Sequence, residues 1–239
     1  IETISLLENA RKVGAKIIAF SDGGKIEKIC LENNIEHRNV KKYHSPRASF
    51  TSFLYSMLRV LKPILPINES DIVESLEKLE IVSKKINSNN LSINNPAIEI
   101  SEWLNNFPII FFPFGLQSAA IRFKNAIQEN AKTHAIVEDI IESSHNGIVG
   151  WDRKCNFQPI LLQGKDDVKT TKERWGILKE FFKSKNIEYK EIMSEEGNIL
   201  TKIICLIYLL DYSSIFVAIK LEVDPSPVTS IDFIKKRLN

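Results

Sequence analysis

The chain has 239 residues, 44% of them hydrophobic and 26% charged, with a formal net charge of +2, an ordinary globular balance. Acidic and basic residues are interleaved, so nothing calls for nucleic acid or a membrane surface as partner. The three cysteines, Cys30, Cys155 and Cys205, are scattered without a CxxC pair. They suggest neither a zinc site nor a redox motif, and they suit a reducing, cytoplasmic setting.

Leu6, Leu7, Ala10 and Val13 recur at helical spacing, which predicts an amphipathic helix over 1–13 ended by Gly14. The apolar run 16–20 predicts a buried parallel strand. A turn at Ser21-Asp22-Gly23-Gly24, a helix over 25–33 and a strand near 35–40 follow. Pro46 starts a helix to about Lys62, which Pro63 and Pro66 break. A charged helix over 71–86 has Ser70 as its predicted cap. The Asn- and Ser-rich stretch 87–95 reads as a linker, and the domain boundary is placed there.

The alternation then restarts with a helix over 97–106, a strand over 109–112, a turn at 113–115 and a helix over 116–132. A loop to Trp151, a strand over 159–163, a helix over 170–185 and a strand near 189–193 come next. A helix from Asn198 is predicted to run into a strand at 215–221. The apolar run Ile203–Ile219 is thus a core segment rather than a membrane span, since Asp211 interrupts it. Pro225 and Pro227 precede a final helix to Leu238. This order predicts the α/β class, two domains each with a mostly parallel sheet flanked by helices. The first residue is not Met and no strand precedes the first helix, so the chain is expected to be a fragment or a processed form.

Two loops follow strands, where open α/β sheets bind ligands. In Ser21-Asp22-Gly23-Gly24-Lys25, glycines permit close backbone approach and the next helix favours an anion. Taken alone, the loop reads as a plain tight turn. The segment after Gly115 leads to Glu129, late on a helix, and His145 follows sixteen positions on in a polar loop. Alone, Glu129 is a solvated face residue and His145 a loop histidine. Together, a carboxylate and an imidazole are the usual means of moving protons near neutral pH. Arg47 starts a helix, where a cation opposes the dipole; it is either an anion contact or a surface arginine.

The ordered set of segments resembles the bifunctional phosphoglucose/phosphomannose isomerase family. It comprises Glu2-Thr3, Gly14-Ala15-Lys16-Ile17-Ile18-Ala19-Phe20 with Gly23-Gly24-Lys25, Pro46-Arg47-Ala48 and Arg122-Phe123-Lys124. Glu129-Asn130-Ala131-Lys132, His145-Asn146 with Gly150-Trp151, and Asp224-Pro225-Ser226-Pro227-Val228 with Ile234-Lys235 complete it. The resemblance implies two SIS-type domains and a homodimer that interconverts glucose 6-phosphate and mannose 6-phosphate with fructose 6-phosphate. It implies no metal and no organic cofactor. By the resemblance, Glu129 is the base acting between C1 and C2 through an enediol. His145 helps open the sugar ring from the neighbouring subunit. Arg47 stands beside the C1 and C2 oxygens, and Lys235, with Lys236 as the alternative, assists ring opening. Ser21, Gly23, Gly24 and Thr3 fall in the substrate-binding region.

The expected division is 1–90 as the remainder of a first SIS domain, 91–223 as the second, and 224–239 as a C-terminal helix returning to the active site. The family's Ser/Thr-rich phosphate loop is expected ahead of Ile1, so the chain is expected to be N-terminally incomplete. Gly147 replaces the acidic residue usual after the His-Asn pair and is expected to loosen the loop holding His145. The competing expectation is a non-catalytic SIS-type module that binds a phosphosugar in a regulatory role.

Overall fold

A computed structural model of the chain describes residues 2–238. The chain falls into two compact units that divide between Asn68 and Glu69. The first unit contains α1 (Glu2–Lys12), β1 (Ile18–Ser21), α2 (Lys25–Glu32), β2 (Glu36–Asn39) and α3 (Phe50–Leu61), with a 3-10 turn over Arg47–Ser49. β1 and β2 pair in parallel, with Ser21 opposite Asn39. Gly14 ends α1 with φ +68°, a conformation that costs glycine little. Leu7, Cys30, Val40 and Leu58 are its buried apolar side chains. Ser49 is fully buried among them; its hydroxyl donates to the Ser45 carbonyl and accepts from the Tyr43 amide.

The second unit contains α4 (Glu69–Ile86), α5 (Pro96–Trp103), β3 (Phe107–Phe112), α6 (Gln117–Asn130), β4 (Ile136–Asp139), α7 (Ile140–Ser143), β5 (Phe157–Gln163), α8 (Lys169–Ser184), β6 (Lys190–Met193), α9 (Ile199–Lys220) and α10 (Thr229–Lys235). Four parallel strands lie in the order β4-β3-β5-β6. The central strands β3 and β5 are nearly continuous apolar runs, as burial on both faces requires. The chain steps from β3 to β4 in one direction and from β5 to β6 in the other. Right-handed crossovers therefore put α6 on one face and α8 on the opposite face. On the α8 face, Ile109, Phe111 and Leu161 pack with Ile140, Trp151, Trp175, Leu178 and Phe182. On the other, α9 packs against α4, α5 and α6.

Several expectations are corrected. The helix and strand expected across 198–221 form one helix, α9. Ile215 and Val217 are β-branched, which favours a strand, but tertiary burial overrides that preference. Ser213 and Ser214 donate their hydroxyls back to the carbonyls of Leu209 and Asp211, and Leu221 N–H still bonds to the Val217 carbonyl. α9 is long and apolar enough to cross a membrane, yet half of its most apolar window is buried inside the unit. A helix that is apolar nearly all round is expected in a core.

The stretch expected as loop to Trp151 contains β4 and α7. β4 is only four residues long and ends in Glu138-Asp139, too short and too polar at its end to show an apolar period. Asp139 then caps α7 by accepting the amides of Ile141 and Glu142. α5 stops at Trp103, not 106, because the Lys220 ammonium collects the carbonyls of Ser101, Glu102 and Leu104, and a cation suits a helix C-terminus. Ser70 lies inside α4, which starts at Glu69, so it is not the cap.

The compact units divide eighteen residues or more ahead of the linker expected at 87–95. α4 lies on α9, and Glu74 Oε1 accepts the Asn198 amide at 2.9 Å. That packing binds the charged helix to the second unit.

Candidate active site

In the first unit, the β1–α2 turn gathers three polar groups. Ser21 Oγ is 2.8 Å from His37 Nε2 and accepts the Gly23 amide at 3.2 Å. Gly23 and Gly24 have φ of +101° and +78°, and a Cβ on Gly23 would stand 3.1 Å from Glu27 Oε2. Glycine is required by the backbone at both positions. His37 carries no signal in the linear sequence; parallel pairing of β1 with β2 brings it to Ser21, and no spacing predicts that contact. Arg47 opens the 3-10 turn ahead of α3 and is half-buried. Thr3 lies exposed in the first turn of α1.

In the second unit, Glu129 is half-buried in the last turn of α6. It lies twelve residues beyond the helix start, about 18 Å along the axis. The catalytic candidate therefore sits toward the amino ends of the strands and not in the β3–α6 loop at their carboxyl ends. Its surroundings come from three segments. From α6 itself, Arg122 reaches Asp211 of α9, with Nη2–Oδ2 at 2.8 Å and Nε–Oδ1 at 3.1 Å. Beside that pair, the buried Asn130 amide donates to Ser214 Oγ at 2.8 Å. From the turn after α6, Lys132 Nζ donates to the Glu129 carbonyl at 2.5 Å and to the Pro227 carbonyl at 2.7 Å. The chain ahead of α10 is thereby brought to the end of α6. Lys235, the last residue of α10, is exposed, as is Lys236.

Burial pushes the Asp211 carboxyl above the ordinary aspartate range, against the pull of the Arg122 guanidinium, and the charge of Glu129 adds to the rise. The three groups are thus electrostatically linked.

His145 follows α7 and is exposed. α7 packs against α8, so His145 belongs to the α8 face and Glu129 to the α6 face of the same sheet. A single sheet does not bring the two together. The His145 loop is held by its own bonds: Asn146 Nδ2 to Glu142 Oε1 at 2.6 Å, His145 N–H to the Glu142 carbonyl, and Val149 N–H to the Asn146 carbonyl. A Cβ on Gly147 would lie 3.6 Å from Glu138 Oε2, so an acidic side chain there would start against an existing carboxylate.

Burial, then the charge of Glu142, raises the Glu138 pKa. A carboxyl whose folded pKa lies above its unfolded value stabilises the fold at low pH and loses that contribution as pH rises. Glu138→Gln is therefore expected to raise Tm by about 1–2 °C at pH 8 and to leave it unchanged at pH 4. Thermal melts at the two pH values check this; an equal shift at both would contradict it.

No group of three or more His, Cys, Asp or Glu side chains poised to hold a metal ion occurs among the described residues.

Residues 93–238 match an SIS domain. A solved glucose-6-phosphate isomerase like protein from Thermus thermophilus superimposes with a TM-score of 0.63 at 15% identity, covering 88% of this chain and 76% of that one. The chain belongs to the bacterial phospho-glucose isomerase family defined by its C-terminal SIS domain, which matches residues 93–238. Similarity to named proteins extends further. A bifunctional phosphoglucose/phosphomannose isomerase of Caldicellulosiruptor bescii is 29% identical over 99% of this chain and 72% of its own length. The protein of the same name from Aquifex aeolicus is 27% identical over the same shares.

Proposed function

We propose that the protein is an aldose–ketose isomerase that interconverts glucose 6-phosphate and mannose 6-phosphate with fructose 6-phosphate. The observation that carries this reading is the similarity, along 99% of the chain, to two proteins named for both activities. In the proposed reaction, the Glu129 carboxylate takes the C2 proton of the open-chain aldose and returns it to C1. The intermediate is a cis-enediol, and Arg47 is the cation proposed to answer its developing negative charge. His145 and Lys235 assist ring opening, moving a proton from the C1 hydroxyl to the ring oxygen. Ser21, Gly23, Gly24 and Thr3 belong to the substrate-binding region, with Ser21 held by His37. A base and one cation suffice for an enediolate, so no metal or organic cofactor is invoked.

The positions of Glu129 and His145 over opposite faces of one sheet favour a homodimer in which each His145 serves the neighbouring site. The domain assignment 1–90, 91–223 and 224–239 belongs to the same proposal; the family match over residues 93–238 supports the place where its second part begins. Three free cysteines, two of them buried, fit a cytoplasmic protein.

Fructose 6-phosphate formation from each aldose, measured with EDTA present, tests the reading. Turnover of both sugars is expected. Turnover of glucose 6-phosphate alone would remove the mannose activity. Binding of phosphosugar without turnover of either would leave a non-catalytic SIS-type module.

A further inference from the structure

Lys132 does more than end a helix. Its backbone is left-handed, with φ +56°, an uncommon state for a residue with a side chain. Its ammonium group spans two segments ninety or more residues apart in sequence, reaching the carbonyls of Glu129, Pro227 and Pro225 at 2.5, 2.7 and 3.4 Å. The receiving segment is shaped in advance. Asp224 Oδ1 accepts the Ser226 amide at 2.8 Å, and those bonds, with the Lys132 charge as a lesser cause, hold its carboxyl below the ordinary range. Pro225 and Pro227 restrict φ on either side of Ser226, so their carbonyls are presented with little entropy left to lose. α10 follows at once. It has no buried residue and is only seven residues long, so the packing that could fix it independently is slight.

We propose that Lys132 is a positioning residue: by tying carbonyls 225 and 227 to the end of α6, it orders residues 224–235 and sets Lys235 against the turn that carries Glu129. This rests on the isomerase reading for its catalytic consequence, but not for the ordering itself. The Glu129 carbonyl is one of the last four of α6, to which a helix supplies no amide of its own; Lys132 satisfies it with the same group that holds the distant segment. Any shift of 225–227 would thus be felt at the backbone of the proposed base.

The test compares Lys132→Met and Lys132→Arg with the native protein. Methionine keeps the stem and bears the same backbone cost, removing only the charge and its donors. Amide hydrogen exchange over 224–235, Tm, and kcat and KM for glucose 6-phosphate are read for each, with Glu129→Gln assayed in parallel. Expected for Lys132→Met are exchange in 224–235 faster by about tenfold, kcat lower by about 10–100-fold with KM changed less than about threefold, and little change in Tm. Lys132→Arg is expected to restore exchange protection and most of kcat. Unchanged exchange in Lys132→Met would overturn the ordering, and faster exchange with native kcat would overturn the catalytic consequence. Full activity of Glu129→Gln would instead fault the reading of the base, with the exchange result still deciding whether Lys132 orders the segment.

Discussion

Glu129→Gln is expected to lower kcat for the conversion of glucose 6-phosphate to fructose 6-phosphate by about 1000-fold, with KM changed little. Glutamine keeps the size of the side chain but cannot accept the C2 proton. Glu129 is half-buried in the last turn of α6, and the amide leaves the backbone contact of Lys132 untouched, because that contact is to the Glu129 carbonyl. The fold and the binding of substrate should therefore survive. Anomerisation of glucose 6-phosphate should survive as well, since ring opening is assigned to His145 and Lys235. NMR exchange between anomers separates the two steps. Loss of isomerisation with anomerisation intact places Glu129 at the C1–C2 transfer. Equal loss of both would show that the substitution disturbs the whole site.

Arg122→Met is expected to destabilise the second unit by about 3 kcal/mol at pH 8, the largest stability effect foreseen. The Arg122 and Asp211 side chains are 23% and 24% exposed and meet through two oxygens. Removal of the guanidinium leaves a carboxylate largely cut off from water on α9, with Glu129 nearby. Burial already raises the Asp211 pKa despite Arg122, and loss of the cation raises it further. The folded value then lies still further above the unfolded one, so the protonated form favours the fold and the penalty grows as pH climbs toward the folded value. Urea unfolding should show a clearly smaller penalty at pH 5 than at pH 8. An equal penalty at both would mean that Arg122 acts through the packing of its stem and not its charge.

Much of the architecture is legible in the sequence because β3, β5 and α8 carry strong local patterns: apolar runs for buried strands, a helical stripe between turn residues. α9 departs from its expected form where its sequence is locally ambiguous. Ile215-Phe216-Val217 suits a strand, and only the neighbouring helices α4, α5 and α6 decide otherwise. β4 escapes a sequence reading because its two apolar residues run straight into Glu138-Asp139 and the polar stretch after them, which reads as loop. Composition marks the Asn-rich linker at 87–95, whereas the packing of α4 on α9, which joins residues 69–86 to the second compact unit, is a long-range fact.

The candidate site shows the same division. Glu129 and His145 become candidates only as a pair and through the family resemblance, and Gly23 and Gly24 read by themselves as a tight turn. Their setting is not legible locally. The bond from Ser21 to His37 depends on strand register, the pair Arg122–Asp211 joins residues 89 positions apart, and Lys132 reaches 95 positions to Pro227. Residue type identifies candidate chemistry locally, while the groups that orient it come from segments brought together only by folding.

The most direct test of the central claim is isomerisation of glucose 6-phosphate in D2O with EDTA present, followed by mass and NMR analysis of early fructose 6-phosphate. Proton transfer by a carboxylate through an enediol predicts deuterium at C1 in part of the product, because the proton held by Glu129 exchanges with solvent before it is returned. Product entirely free of deuterium at C1, at an undiminished rate, would point to direct hydride transfer between C2 and C1 and would contradict the role given to Glu129.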